Sequence, residues 1–341
     1  MMPPEVILDR WMRARLRDSP EFFGYAGKLD IEQVRSSALR TLLYEFQNAM
    51  NDALRLENTN ASGGTKHPPF HFDYLDTSVE IKNAHAFQHE DFSFIVVTLP
   101  LIELILEVSQ RLSRSVVAAQ LLHVELGTLE PDIFQGFLAQ IQLLFLIGHE
   151  YTHHVHRHVA RRDQSGVWTE FPHQAPPGNI NSQAEELDAD GYATYLVLTH
   201  LLRGEGRQSA FIQLNTANMP TSDREELILS CFLLAVLAFF CTFWRGEIAA
   251  SLYELNHPPP PVRIKYVIRV AEMWCGQFGS VSQSWFGSPQ LQNLFGAAAG
   301  EVEITIRQGW DAQIAMLSSV DGAQYDLLLL EKFEALRRSA D

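Results

Sequence analysis

The chain is short of positive charge. Its 26 Lys and Arg stand against 41 Asp and Glu, a formal charge of −15 over 341 residues, and no basic run occurs anywhere along it. Affinity for nucleic acid is carried largely by clustered Lys and Arg that neutralise phosphates, so a DNA or RNA partner is not expected. Cysteine is scarcer still. Cys231, Cys241 and Cys275 are odd in number, form no CxxC pair and sit in apolar surroundings. They are expected as small buried hydrophobes of a reducing compartment, neither a disulfide framework nor metal ligands. The opening residues, Met1-Met2-Pro3-Pro4-Glu5, lack the basic stretch and apolar core of a secretory signal, so the cytoplasm is the expected location. Repeats and low-complexity tails are also missing. What remains is ordinary globular material, 46% apolar and 20% charged, long enough for one large domain or two small ones.

Periodicity organises that material. Val6 to Leu16, and then Ile31 to Leu56, carry apolar residues at helical spacing. A turn-rich break, Asn58 to Pro69, follows. Phe70 to Tyr74, Ser78 to Ala86 and Phe92 to Thr98 then read as strands of a small sheet. From Pro100 onward the pattern is helical, apart from a loop at Gly166 to Asn181 and the proline run Pro258 to Pro261. The expected class is α+β, a mainly helical body with a small antiparallel sheet.

The chemistry concentrates in His149-Glu150-Tyr151-Thr152-His153. Residues four apart on a helix share a face one turn apart, and Ile141 to Arg161 reads as one helix. His149 and His153 are therefore placed to point a nitrogen each at one ion, and the longer Glu150 side chain reaches a water beside it as general base. A hydrolytic zinc needs a third protein ligand and an open fourth position. Val159 occupies the place where a third histidine would stand in one such arrangement. The better candidate is Glu186 in Ala184-Glu185-Glu186-Leu187-Asp188-Ala189-Asp190. Glu186 and Asp190 again share a helix face, which leaves Asp190 free to accept the outer N–H of a ligand histidine. Glu185 is a fallback ligand. The competing reading of this acidic stretch is a solvated helix face. His154, His156 and His158 are expected at the surface, without function.

HExxH followed by ExxxD resembles the gluzincins, the group of zinc metallopeptidases that contains thermolysin. Asn256-His257-Pro258 to Arg263-Ile264 looks like the HP…R motif of HtpX-type and CAAX-prenyl endopeptidases. The order of the motifs also resembles the Lit-like phage-exclusion peptidases of bacteria. The resemblance spans about residues 90 to 270 and implies a gluzincin-like zincin domain with one Zn2+ per chain. It implies zinc ligands at His149, His153 and Glu186, with Glu150 as general base and Asp190 orienting a ligand. By the same resemblance His257 would stabilise the oxyanion, and Arg263 would brace the site or hold the substrate. Against this, His257 can simply cap a turn and Arg263 can be an ordinary ion-pair partner.

The organisation expected from this is an N-terminal helical region at 1–66, a metallopeptidase core at 67–275 and a C-terminal helical region at 276–341. Within the core the sheet is placed at 67–99, the catalytic helices at 135–205 and the HP motif at 256–264. The expected activity is zinc-dependent endoproteolysis of a protein substrate, with phage defence or stress response as the setting that the likeness implies. Substrate would add to an edge strand, with Phe92 to Thr98 as the candidate. Leu227 to Trp244 runs 18 residues without a charge, the lower limit for a membrane span. One crossing there would separate His257 from the zinc, so a buried helix is the expectation, with membrane association as its rival. The sequence also allows an HtpX-like membrane quality-control protease or a non-catalytic, zinc-stabilised regulatory protein.

Overall fold

A computed structural model describes residues 2–18, 22–59, 64, 66–123, 130–161, 167–169, 179–216, 218–243, 252–302 and 316–338. Its elements begin with α1 (Pro4–Asp18), β1 (Tyr25–Lys28), α2 (Ser37–Asn58), β2 (Phe70–Thr77), β3 (Ala84–His89) and β4 (Phe92–Thr98). Next come α3 (Leu99–Arg114), α4 (Val116–Leu121), α5 (Pro131–Val155), α6 (His158–Arg161) and β5 (Val167–Thr169). The rest is helical: α7 (Ile180–Leu202), α8 (Gly206–Gln213), α9 (Thr221–Thr242), α10 (Pro260–Phe278), α11 (Gln283–Phe286), α12 (Pro289–Val302) and α13 (Val320–Arg338). The chain divides into two units, Met1–Leu104 with Glu150–Pro176, and Ile105–His149 with Pro177–Asp341.

The first unit is built on a five-stranded sheet in the order β1-β2-β4-β3-β5. The α+β class expected from sequence stands, with one difference: the sheet is mixed, because β2 and β4 pair parallel while the remaining pairs are antiparallel. β3 folds back on β4 through a tight turn in which Glu90 takes φ 51°. The hairpin inserts with β4 against β2, so Phe92–Thr98 is an interior strand, buried along its whole length, and not the expected edge. β1 and β5, which the sequence pattern does not reveal, form the two ends. The stretch 78–83, expected as strand, is the connection into β3.

Both sheet faces are covered, which explains the near-continuous apolar strands. Ile7, Leu8, Trp11 and Met12 of α1 pack with Leu75, Phe87, Phe94 and Val96, and the Trp11 ring stacks on Phe87 at 3.9 Å. On the other face Phe72 and Tyr74 meet α2, where Phe46 packs edge-on to Phe72 and Tyr74 Oη donates to the Leu43 carbonyl. α2 begins at a Ser36 cap that accepts from Leu39 N. Its Asn51 closes the part of β2 that β1 leaves open. Asn51 Nδ2 donates to the Phe72 carbonyl at 3.0 Å, and the Phe72 N–H donates to Asn51 Oδ1 at 2.8 Å.

The second unit is helical around α9, in which every residue from Leu227 to Cys241 is buried. Both α5 and α9 are long and apolar enough to cross a membrane, but 89% of the most apolar stretch of α9 is buried inside the protein. α9 is packed by α7, α10 and α12. Cys231, Cys241 and Cys275 are buried free thiols, as expected. The C-terminal helix α13 docks internally: Tyr325, Leu329 and Phe333, spaced four apart, join Ala184, Leu187 and Tyr266 in one apolar cluster.

Asn51→Ala should leave the Phe72 N–H and carbonyl without their partners and lower the unfolding free energy by about 1–3 kcal/mol. Denaturant unfolding measures this, and Asn51→Asp, which keeps the acceptor alone, should fall between Asn51→Ala and the wild type.

Candidate metal centre

α5 starts at Pro131, whose fixed φ suits a first helical turn, and runs unbroken through His149, Glu150 and His153. Its upstream part is core: Phe137, Leu138, Ile141 and Phe145 are buried, with Phe145 against Phe240 of α9 at 5.6 Å between ring centroids. Gly148 brings α5 close to α7, since a Cβ there would stand 3.4 Å from the Ala193 Cα. α7 is started by a capping box in which Asn179 and Ser182 satisfy each other's backbone.

The acidic stretch on α7 is not a solvated face. Glu185, Glu186, Asp188 and Asp190 are 8%, 0%, 3% and 0% exposed. Carboxylates so buried need cations or hydrogen-bond donors. Arg263 of α10 supplies two donors to Asp190, from Nε to Oδ2 and from Nη2 to Oδ1, both at 2.7 Å. Its guanidinium also lies 4.7 Å from the Phe240 ring centroid and 3.8 Å from Glu186 Oε2.

With its oxygens held by Arg263, Asp190 Oδ1 stands 2.9 Å from His149 Nδ1. An ionised carboxylate only accepts, so the His149 proton sits on Nδ1 and the Nε2 lone pair is left to point elsewhere. It points at Glu186, whose Oε2 is 3.3 Å away. Ligands about 2.0–2.1 Å from a tetrahedral zinc lie about 3.3–3.4 Å from one another, so this spacing suits two corners of one coordination shell. His153 stands one turn further along the same helix. The donor atoms of His149, His153 and Glu186 all lie within 4.8 Å of one another, and all three residues are buried. Two imidazoles and a carboxylate are the ligand set of a hydrolytic zinc with one position left open, and the donors fit that ion.

The HP segment reaches the same place. Pro258–Pro261 starts α10, with prolines in its first positions. The chain just before it is tied to α7 by Gln183 Nε2, which donates to the carbonyls of Leu252 and Leu255 at 2.9 and 2.7 Å. Tyr325 of α13 donates in turn to Gln183 Oε1. This sets His257 Nε2 3.4 Å from Glu186 Oε1, with 17% of its side chain exposed. His149, Glu186, Asp190, His257 and Arg263, scattered over more than a hundred positions of sequence, thus converge.

The remaining histidines of the motif region depart from expectation. His154 and His158, expected at the surface, are 4% and 1% exposed. His154 Nε2 lies 2.9 Å from the Phe94 carbonyl, so it donates there. Its ring packs against Phe70, and burial pushes its pKa down to about 4. The helix read over Ile141 to Arg161 stops at Val155 and restarts at His158, with Arg157 between at φ 61°. His158 Nδ1 comes to 3.0 Å from His153 Nδ1. The loop at Gly166 to Asn181, expected between the two motif helices, lies mostly outside the described residues.

Truncating one member of a buried ion pair strands the other charge, at a cost of about 3–5 kcal/mol. Arg263→Met should therefore lower the stability of the metal-free protein by that order in a urea titration. Adding Asp190→Asn should recover a large part of the loss, as a double-mutant cycle would show.

Comparisons with curated proteins and with solved structures gave no match. Residues 52–173 match the family model of Peptidase family M48. The match runs from the later part of α2 through β2–β5 and the whole of His149-Glu150-Tyr151-Thr152-His153 and ends before α7, so Glu186, Asp190, His257 and Arg263 lie outside it. Over that segment the chain is similar to a zinc metallopeptidase family of the gluzincin type, one that includes the HtpX-like proteases.

Proposed function

We propose that the protein is a zinc endopeptidase whose ion is held by His149, His153 and Glu186. The observation that carries this reading is the convergence of those three donors, with His149 fixed from behind by Asp190 and Arg263. When bound, a zinc ion there would supply Lewis acidity toward a substrate carbonyl and a water of lowered pKa. Glu150, fully buried and next along the helix from His149, takes the proton of the attacking water. It then passes that proton to the amine that leaves as the peptide bond breaks. His257 is the donor for the oxyanion that develops on the scissile carbonyl, a role supported by its place beside Glu186 and its partial exposure. Arg263 is the brace: its donors are committed to Asp190, which keeps His149 in the tautomer a ligand needs.

The substrate is a protein or peptide. Edge pairing would fall to β1 or β5, since β4 is interior. The burial of α9 supports a peptidase that works without crossing a membrane at that helix. The cytoplasm is the location that this reading adopts, with phage defence or stress response as the setting implied by the resemblance to the Lit-like peptidases. A non-catalytic role needs a closed site with a fourth protein ligand, and none of the three cysteines, all on α9 or α10, belongs to the donor group described.

Glu150→Gln separates these readings. The wild type and the variant should each bind about one zinc per chain, while hydrolysis of a substrate proteome falls by about 10²–10⁴ in the variant. Equal cleavage by the two proteins would remove Glu150 from the mechanism.

A further inference from the structure

The two histidines of the motif are oriented by different means. His149 is held by a carboxylate, which is in turn held by a guanidinium. His153 has beside its Nδ1 the Nδ1 of His158, at 3.0 Å, with the two rings edge-on at 65° and both side chains buried. Two ring nitrogens at that distance share one proton. If His153 offers Nε2 to the ion, its proton lies on Nδ1, and His158 Nδ1 is the acceptor, with its own proton on Nε2.

This meeting is built by the backbone. On a continued helix a residue five positions on lies about 140° around the axis, so His158 would face away from His153. The helix instead ends at Val155, and Arg157 takes φ 61°, a left-handed conformation that is unfavourable for a non-glycine residue. His156 N and Arg157 N keep their bonds to the Thr152 and His154 carbonyls, at 2.9 and 3.0 Å, through the turn. The chain is thereby reversed and the His158 ring returned onto His153. Val159, the next residue, is buried against Ala86 of β3 and fixes the start of α6 on the sheet.

We propose that His158 is a positioning residue for the metal centre, the hydrogen-bond acceptor that holds His153 in its ligating tautomer. This rests on the reading of His153 as a zinc ligand. An imidazole acceptor orients the ring through one hydrogen bond. It also makes His153 a less basic donor than His149, whose outer nitrogen faces a carboxylate.

The test compares wild type with His158→Phe and His158→Leu, which fill the space without an acceptor, and His158→Asn, whose amide oxygen can accept. Zinc affinity is read by competition with a chromogenic chelator, and thermal unfolding is followed with and without zinc. The Phe and Leu variants should bind zinc about 10–100-fold more weakly, while the metal-free melting temperature changes little and the zinc-induced rise shrinks. His158→Asn should recover most of the affinity. Wild-type affinity in His158→Phe or His158→Leu overturns the proposal, and so does an Asn variant as weak as Leu. A metal content of two per chain that falls to one in these variants would make His158 a ligand itself and also overturns it. If His153→Ala binds zinc as the wild type does, the reading of the site fails, and the positioning role fails with it.

Discussion

Arg263 is buried to 3% exposure, and the carboxylate it grips, Asp190, is completely buried. Neither group tolerates that environment alone, because an isolated charge in a protein interior is too costly to keep. Their bidentate pairing locks α10 to α7, and its consequence reaches α5. With both Asp190 oxygens engaged by Arg263 and Oδ1 also facing His149 Nδ1, one tautomer of His149 is selected and its Nε2 is aimed at Glu186. The candidate centre is therefore built on an ion pair, and the proposed ligand set rests on it. Gly148 against Ala193, and Gly191 against the Tyr266 ring, allow the helix approach that this pairing requires.

The surrounding elements serve the same geometry from further away. The capping box starts α7 at Asn179, so its acidic stretch begins at a defined height. Gln183, held by Tyr325 of the C-terminal helix, anchors the segment that delivers His257. In the first unit, Tyr151 and His154 on the later turns of α5 pack on Phe70, and His154 is bonded to the Phe94 carbonyl. The sheet thus steadies the part of the helix that carries Glu150 and His153.

Local spacing made the candidate centre legible in sequence. His149 with His153, and Glu186 with Asp190, are four-residue pairs whose common face follows from helix geometry alone. Their burial was not legible, because a stretch with four acidic residues in six reads as surface until Arg263 is found 73 positions beyond Asp190. His158 was hidden for a related reason. No glycine or proline marks the break at Arg157, so the pattern continues as helix and turns His158 outward. The parallel pairing of β2 with β4 and the short strands β1 and β5 depend on contacts between distant segments, which period-two alternation does not encode. The buried character of α9 was legible only through consistency: a crossing there would have parted His257 from the rest of the site.

The most direct test of the central claim is X-ray absorption at the zinc edge on the purified protein, with metal quantified in parallel. The account requires about one zinc per chain in a shell of nitrogen and oxygen at about 2.0–2.1 Å, with two imidazoles visible in the outer scattering. Protein that holds no stoichiometric zinc, or a spectrum with sulfur at about 2.3 Å, would contradict it.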